Sequence, residues 1–317
     1  MKRAIFIVHA LSPAHRMLLG LRGRRWSLLG DSDRKSLQDI VSICRFRYRD
    51  EVEVEVVALP QTAEELIADQ EQALRWMLRA VEVARSRGEL GAIGLGSVCA
   101  IVAGRGTALQ ARTNIPVTTG GAATVWTLVE NVKLLAQQRQ QPLLILGAQS
   151  PVGKCVSQIL VNQGHCLRVD HKRTAKKLDL SVWNTEQING HIVVGCATTG
   201  PTINAERIGA ECAVIDVALP ESVEGPLPAD CQVWMGETLT MPKQWRRGFW
   251  GPIYHLGSGY GFSTVLACLL EPLAIVLSGR STAYAQGRSC DPDAVVEVGK
   301  VLCEAGFQPH RRLLNRA

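Results

Sequence analysis

The fold class is decided by the stretch "PLLILGAQSPVGKCVSQILVNQG" at residues 142–164. A short apolar run of strand length enters a glycine turn, and an amphipathic segment then continues to a closing glycine, Gly164. A buried strand, a tight turn and a helix in this order form the repeating unit of a parallel sheet with crossover helices. We therefore predict an α/β fold.

The same alternation of strands and helices continues on both sides of this stretch. Upstream, strands are predicted around 3–11 and 52–60, and a helix begins at Thr62 and ends at Gly88. Downstream, strands are predicted within 166–170, 191–200 and 212–220. We predict an N-terminal α/β substrate domain over 1–135, a Rossmann-like dinucleotide-binding domain over 136–255, and C-terminal helices over 256–317 that pack back onto the first domain.

Composition and charge limit the classes of protein to which the chain can belong. The chain has 317 residues, of which 46% are hydrophobic and 20% charged, as in an ordinary globular protein. Its net charge of +6 does not demand a nucleic-acid partner, and none is predicted. Ten cysteines without a C-x-x-C pair indicate reduced thiols and a cytoplasmic location. The histidines and cysteines lack zinc-type spacing, so no metal site is predicted.

Two apolar segments resemble membrane signals. The run at 262–278 is nearly long enough to cross a bilayer, but Glu271 and Pro272 lie near its centre, where an acid costs about 2.5–3.5 kcal/mol. The N-terminal run contains His9 and has no clear cleavage site. We predict no integral span and leave peripheral membrane contact open.

The glycine turn after the strand at 143–146 is a candidate nucleotide site. Gly147, Ser150 and Gly153 occupy the three positions of a G-x-x-G-x-x-G turn, in which backbone N–H groups at a helix start face a pyrophosphate. Serine at the middle position departs from the pattern. The predicted cofactor-binding residues of the turn and of the predicted strand at 191–200 are Gly147, Ala148, Ser150, Pro151, Val152, Gly153 and Thr198.

The cofactor is predicted from the segment after the following strand. Asp170 lies where an acid bonds a ribose 2′-hydroxyl, and His171, Lys172 and Arg173 follow it as groups suited to a 2′-phosphate. These four residues complete the cofactor-binding set. We predict NADPH, with NADH as the alternative.

The C-terminal apolar segment contains Cys268, Glu271 and Pro272. Proline lacks an N–H and crowds the carbonyl four residues back, which here belongs to Cys268. Glu271 is too costly to bury alone and should meet a base, a hydroxyl or water. From the residues alone, a cysteine on an apolar helix is more often packing than chemistry.

Several stretches, in order, resemble the long-chain acyl-[acyl-carrier-protein] reductases of cyanobacteria. They are "HALSPAH" at 9–15, "GLGS" at 94–97, "VTTGGAAT" at 117–124, "LGAQSPVG" at 146–153, "VIDVALP" at 214–220 and "LACLLEPL" at 266–273. The resemblance spans nearly the whole chain, and it implies NADPH-dependent reduction of an acyl thioester to an aldehyde through an acyl-enzyme on Cys268. The serine in the glycine turn and Pro272 depart from that family.

The resemblance also implies a catalytic set and a partner. The predicted catalytic residues are Cys268, Glu271, Thr118, Thr119 and His9. The hydroxyls and backbone amides of Thr118, Thr119 and Gly120 are predicted as oxyanion donors or, alternatively, as a helix cap. We expect the thiol to lie inside the helix, away from its N-terminus, so the cation or polar donor that activates it must come from elsewhere; His9, His255 and Arg288 are left open as candidates. The partner is an acyl carrier protein or a coenzyme A thioester, and a docking surface is predicted from Arg22, Arg24, Arg25, Arg45, Arg47 and Arg49.

Two other functions fit the residues. One is an NAD(P)-dependent dehydrogenase of a small amino or hydroxy acid without covalent catalysis. The other is a non-catalytic protein that senses a nucleotide or binds a carrier. The sequence leaves the oligomeric state open.

Overall fold

A computed structural model describes residues 1–10, 40–165, 167–169, 173–174, 177–178, 187–197, 201–218, 221–247 and 263–310. Some predicted residues lie outside this part, namely Arg22, Arg24, Arg25, Asp170, His171, Lys172, Thr198, His255 and the side chain of Arg173. Within it, strands in parallel sheets are joined by helices, so the predicted α/β class is confirmed.

The helices of the described residues are numbered in chain order. They are α1 (Ala63–Ala68), α2 (Gln70–Arg85), α3 (Thr107–Thr113), α4 (Gly121–Arg139), α5 (Pro151–Asn162), α6 (Ala267–Ser278) and α7 (Pro292–Glu304). Across these residues, no helix is both long enough and apolar enough to cross a bilayer.

The strands are numbered in the same way. The first ten are β1 (Lys2–His9), β2 (Val41–Tyr48), β3 (Val52–Leu59), β4 (Ala92–Leu95), β5 (Val117–Thr118), β6 (Leu143–Leu146), β7 (Leu167–Val169), β8 (Arg173–Thr174), β9 (Lys177–Leu178) and β10 (Ile192–Gly195). The others are β11 (Ile203–Asn204), β12 (Ala213–Asp216), β13 (Val223–Glu224), β14 (Gln232–Met235), β15 (Thr238–Thr240), β16 (Trp245–Arg247), β17 (Thr264–Leu266), β18 (Ala285–Gln286), β19 (Ser289–Cys290) and β20 (Gln308–Pro309).

The first compact unit comprises Met1–Gly121, Met241–Ser289 and Lys300–Phe307. Its six-stranded sheet has the order β16-β2-β3-β1-β4-β5, in which β3, β1, β4 and β5 are parallel, β2 is antiparallel to β3, and β16 is antiparallel to β2. Residues of α2 and α3 such as Met77 and Leu109 share a buried core with Ile5 and Ile93 of the sheet. Helix α6 packs against β1, β3 and β4.

The sheet of this unit contains a buried charge cluster. Glu55 on β3 is fully buried and its carboxylate contacts three guanidinium groups, Arg3 at 3.0 Å, Arg45 at 3.3 Å and Arg87 at 2.6 Å. Glu53, on the same face, contacts Arg3 at 3.6 Å and Arg47 at 3.1 Å. A buried carboxylate needs such partners, because an unpaired one carries a large desolvation penalty.

The second compact unit comprises Ala122–Thr240, Cys290–Gly299 and Gln308–Ala317. Its five-stranded sheet has the order β14-β12-β10-β6-β7, and every neighbouring pair is parallel. Numbered within the unit, this is the order 2-1-3-4-5 of doubly wound sheets. Strand residues such as Leu144, Val193 and Val214 pack together in its core.

The helix predicted from Thr62 to Gly88 begins at the predicted cap but is two helices. Thr62 and Glu65 form a reciprocal capping box at the start of α1. Asp69 then ends α1, and its carboxylate accepts a hydrogen bond from Gln72 N at 2.8 Å. This second cap starts α2 one residue later and interrupts the helix that the apolar periodicity predicted.

Candidate functional site

The candidate site lies at the carboxyl ends of the parallel strands of the first unit. Strand β1 ends at His9, β5 ends at Thr118, and β4 ends just before Gly96 and Ser97. Strand order reverses between β1 and β4, because the chain continues from β1 to β3 on one side and then to β4 on the other. Ligands of open α/β sheets bind outside the carboxyl ends at such a reversal.

Cys268 lies in the first turn of α6. The helix begins at Ala267, and the thiol is partly exposed. The sequence had suggested a thiol inside the helix, far from its N-terminus, and the structure corrects this. The unpaired N–H groups and the macrodipole of a helix N-terminus stabilise negative charge, which is what a thiolate nucleophile requires.

Gly120 allows the close approach of α6 to this edge. Its φ is +75°, and a Cβ built on it would lie 2.6 Å from Cys268 Cα and 2.9 Å from the Cys268 carbonyl oxygen. Any side chain at this position would push the first turn of α6 away. Gly120, the first glycine of "TTGG", therefore sets the position of the thiol against the end of β5.

Glu271 holds α6 and β5 together from inside. It is fully buried, and its Oε1 accepts hydrogen bonds from Thr118 Oγ1 and, at 2.9 Å, from Ala285 N. The expectation that it meets a hydroxyl is confirmed. Thr118 Oγ1 in turn accepts from Gly120 N at 3.0 Å, so one hydroxyl links the glutamate to the glycine that positions Cys268.

The predicted oxyanion donors already have partners in this arrangement. The Thr118 hydroxyl is bonded to Glu271, the Gly120 amide donates to Thr118 Oγ1, and the Thr119 amide donates to Ala285 O at 3.1 Å. These contacts support a positioning role for Thr118. The catalytic assignment of the two threonines stays a prediction.

Pro272 is the remaining unusual residue of the apolar helix, and it packs against β4. A Cβ on Gly94 of β4 would lie 2.8 Å from its Cγ, so the proline ring fills the space that glycine leaves. Cys268, Glu271 and Pro272 are spaced by three and four residues, which places them on one helix face. That face is the one that meets β4 and β5.

The other predicted residues of this unit are found in different contacts. The His9 ring contacts Ala10 and Ser97. Arg288 lies near Arg105, and burial together with the charge of Arg288 lowers the pKa of Arg105. Arg45 and Arg47 of the predicted docking surface are about half exposed and pair with the buried glutamates of β3.

The glycine turn of the second unit lies after β6, beside the end of β10. Gly147 has φ +74°, and a Cβ there would lie 2.5 Å from Ala197 N, which explains why glycine is required. Gly153 lies against the turn, where a Cβ would come within 2.9 Å of Ala148 Cα. The predicted strand, turn and helix are thus present, and α5 begins at Pro151.

Ser150 changes what this turn offers to an anion. Its hydroxyl accepts a hydrogen bond from Gly153 N at 2.8 Å and caps α5. Pro151 has no N–H, and Lys154 N donates to Ser150 O at 2.9 Å. Among the first four residues of α5, Val152 is the one whose amide takes part in none of these contacts. The serine therefore occupies one backbone donor that a pyrophosphate would use, the Gly153 amide, and Pro151 removes another.

The loops beside this turn are fixed by Asp216 at the end of β12. Its carboxylate accepts from Ala218 N at 2.8 Å and Ser222 N at 2.7 Å, and Ser222 Oγ in turn accepts from Ala197 N at 3.2 Å. Burial raises the pKa of Asp216 despite these bonds, which lower it. The carboxylate supports the loops structurally.

The cysteines differ in the chemistry that they can support. Burial raises the pKa of the Cys99 thiol to about 12, which makes it inert. A hydrogen bond with Cys290 lowers the pKa of Cys155, although Cys155 is almost completely buried. Cys303 is exposed. The described residues hold no cluster of three or more histidine, cysteine or acidic side chains that would bind a metal.

Comparison with known proteins finds a distant relative. No family model matches the chain. The chain is similar to the aminotransferase PigE of Serratia sp. (strain ATCC 39006), with 23% identity over 279 residues. That alignment covers 78% of this chain and 31% of the relative, so the chain spans less than a third of the relative's length.

This comparison corrects four predictions. The resemblance to acyl-[acyl-carrier-protein] reductases is wrong, because the relative is an aminotransferase and no family model matches. The predicted NADPH-dependent reduction of an acyl thioester and the alternative dehydrogenase are wrong for the same reason. The predicted cofactor, NADPH or NADH, is also wrong, since aminotransferases typically use pyridoxal phosphate. The donor-poor turn at Ser150 and Pro151 agrees with this correction.

Sequence reasoning missed two residues that complete the site. Ala285 closes it through backbone groups, which no side-chain motif reveals. Ser97 ends the "GLGS" stretch, which was used in the sequence analysis only as part of the resemblance to the reductase family. A polar residue directly after a buried strand was the available signal for Ser97.

Proposed function

We propose that the chain is an enzyme, or the enzyme module of a larger protein, that handles an aldehyde or ketone at the carboxyl edge of the six-stranded sheet. Cys268 is the proposed nucleophile. The observation that carries the proposal is the partly exposed thiol in the first turn of α6, held against Gly120. A nucleophile in such a position adds to electrophilic carbon.

The chemistry is a reversible addition. The Cys268 thiolate forms a bond to the carbonyl carbon, the C=O pair moves to oxygen, and the resulting alkoxide takes a proton from water. The N–H groups at the start of α6 stabilise the negative charge on the thiolate before attack. Reversal breaks the same C–S bond and returns the carbonyl compound unchanged.

The relative supports a connection with amino-group transfer. Such a transfer needs a carbonyl compound as the acceptor of the amino group, and a module that captures one would hold it for that step. Because the alignment covers 31% of the relative, the remainder of that protein has room for other functional parts. Capture by Cys268 is thus proposed as a step that serves amino-group transfer.

Transamination within the chain itself is the second candidate, and the relative's name favours it. Pyridoxal phosphate would require a lysine that forms a Schiff base inside a pocket. The lysine side chains that the structure describes do not fit. Lys2, Lys154 and Lys243 are exposed, while Lys133 and Lys300 lie beside Glu130 and Glu304. No step through that cofactor is therefore derived.

A protection experiment tests the first candidate. The full chain is alkylated with iodoacetamide in the presence and absence of butanal, and the rate at each cysteine is followed by peptide mass analysis. We expect butanal to slow alkylation of Cys268 and to leave the exposed Cys303 unchanged. Equal rates at Cys268 with and without butanal would contradict the proposal.

A second measurement separates the two candidates. The chain is incubated with pyridoxal phosphate, reduced with borohydride and digested, and lysine adducts are located by mass. A single lysine modified far above the others would favour transamination within the chain. Uniform, low modification together with protection of Cys268 would favour carbonyl capture.

Two further expectations are kept as proposals. We propose that the second unit is Rossmann-like, since its parallel strand order supports this plan. We also propose that Arg45, Arg47 and Arg49 attract an acidic partner, because the first two remain half exposed beside their glutamates. Binding that weakens steeply with added salt would support this surface.

A further inference from the structure

Ser97 occupies a strained position directly after β4. Its φ is +51°, a left-handed conformation that residues other than glycine rarely adopt, and its side chain is exposed. The chain turns here from β4 into a short 3-10 helix, Ser97–Ala100. Backbone strain of this kind persists where the surrounding structure fixes a residue, and strained residues concentrate at functional sites.

His9 supplies a base for this serine. The imidazole is 7% exposed, its Nδ1 lies 2.9 Å from Ala10 O, and its Nε2 lies 3.2 Å from Ser97 Oγ. A carbonyl oxygen only accepts, so Nδ1 carries the hydrogen of the neutral ring. Nε2 is then the free lone pair, and the Ser97 hydroxyl donates to it. The carbonyl of Ala10 orients the base as a third group does in a catalytic triad.

A carboxylate lies close enough to act on this imidazole. A hydrogen bond from its own backbone N–H, another from the Thr62 hydroxyl and the charge of His9 all lower the pKa of Glu64. The Glu64 carboxylate at the start of α1 therefore lies within electrostatic range of the His9 ring.

Apolar surface lies beside the serine. Ile101 directly follows the 3-10 helix and is 40% exposed, and Ile67 on α1 is 52% exposed. Helix α1 contacts the 3-10 helix. Exposed large apolar side chains on the elements that flank the polar pair suit a ligand with an apolar group.

We propose that Ser97 and His9 form a nucleophile–base pair that cleaves esters of apolar carboxylic acids. His9 Nε2 takes the hydroxyl proton as Ser97 Oγ bonds to the ester carbon. The tetrahedral adduct collapses, the C–O bond to the alcohol breaks, and His9 returns the proton to the leaving oxygen. Water then cleaves the Ser97 ester by the same steps and releases the acid.

The pair is distinct from Cys268 in residue and in reaction. It uses the reversal point between β1 and β4, whereas the thiol lies against the end of β5. Failure of one proposal therefore leaves the other intact.

The test uses the full chain with an alkyl fluorophosphonate as the covalent probe and p-nitrophenyl butyrate as the substrate. We expect one adduct, mapped to Ser97, and ester cleavage that stops when the adduct forms. Ser97→Gly removes the hydroxyl and suits the positive φ, so the fold is retained. It should lower both rates by about 100-fold or more, as loss of a positioned acid–base group does. His9→Gln should have the same effect.

Controls keep the result interpretable. Ser86→Gly changes another exposed serine and should leave both rates unchanged. Alkylation of Cys268 at the wild-type rate shows that the edge of the sheet is intact in each variant. An adduct on a serine other than Ser97, or labelling that survives Ser97→Gly, would overturn the proposal.

Discussion

Two sheets of this protein share a parallel core and differ at their carboxyl edges. At the carboxyl edge of the six-stranded sheet lie the side chains that we propose to be reactive, Cys268, Ser97 and His9, together with the polar contacts His9–Ser97 and Thr118–Glu271. The five-stranded sheet ends in a glycine turn in which Ser150 engages the Gly153 amide, and in a neighbouring loop whose Ala218 and Ser222 amides bond Asp216. Two sheets with a similar parallel core thus differ in what their carboxyl edges present: side chains in one unit and hydrogen-bonded backbone in the other.

The difference shows what decides whether such an edge is reactive. In both units glycines permit close approach, at Gly120 in one and Gly147 in the other. The group that packs against the glycine differs, because Cys268 faces Gly120 and backbone atoms of Ala197 face Gly147. Four substitutions test this contrast, from the largest expected effect to the smallest.

Gly120→Ala should give the largest loss. The new methyl would lie 2.6 Å from Cys268 Cα, and the residue would keep a φ of +75°. Overpacking and left-handed strain together lower the free energy of unfolding by about 3 kcal/mol, measured by urea denaturation. Gly164→Ala is the matched control, since its φ is +84° and no atom lies within 4 Å of the new Cβ. A loss at Gly120 no greater than at Gly164 would show that the contact with Cys268 does not constrain the edge.

Thr118→Val should lower stability by about 2 kcal/mol. It removes the hydroxyl that bonds Glu271 and leaves the Gly120 amide without its acceptor. Thr127→Val is the control, because that buried hydroxyl bonds only a carbonyl of its own helix, at 2.8 Å. Urea denaturation and the rate of Cys268 alkylation report stability and thiol position together. If both variants behave alike, the buried Thr118–Glu271 contact is not what secures the site.

Ser150→Ala sharpens the comparison from the second unit. Loss of this N-cap should cost about 1 kcal/mol, read from urea denaturation. The freed Gly153 amide should also make the turn a better anion site, so inorganic phosphate should stabilise the variant more than the wild type. Ser86→Ala, at the end of α2, should change neither quantity. A wild type that phosphate stabilises as strongly as the variant would mean that Ser150 does not close the turn.

Asp216→Asn has the smallest expected effect, which appears as a pH dependence. Burial raises the pKa of Asp216 above its ordinary value of 3.8. As the pH rises past 3.8, the unfolded chain releases this proton while the folded chain keeps it. The contribution of the group to stability is therefore fully present below that pH and is lost as the pH rises through the folded-state pKa. The unfolding free energy of the wild type minus that of the variant should fall over this window, and a constant difference would contradict the raised pKa.

Much of the fold was predictable because it depends on local signals. The buried strands at 52–59 and 143–146, the Thr62 cap and the glycine turn at Gly147 all carry patterns that short-range sterics and burial impose. The break at Asp69 was not predicted, since the apolar periodicity continues across it. Strand β2 alternates buried Cys44, Phe46 and Tyr48 with arginines, a period-two signal that was present in the sequence and was not used.

The site was predictable only in part. Cys268, Glu271 and Thr118 were singled out, and the structure brings them together through Gly120. The contact between His9 and Ser97 joins residues 88 positions apart and depends on strand order, which one sequence does not reveal. No capping side chain marks the start of α6 at Ala267, so the sequence placed the thiol in the interior of the helix.

The cluster around Glu55 has a consequence for how the first unit assembles. Its three guanidinium partners come from β1, β2 and the residues after α2, and all must arrive before the carboxylate can lose its water. If β1 paired with a register shifted by one residue, Arg3 would point to the opposite side of the sheet, and the buried Glu55 carboxylate would lose this partner. The ion pairs of Glu55 therefore disfavour a shifted strand register in this sheet, which valines and isoleucines alone would tolerate.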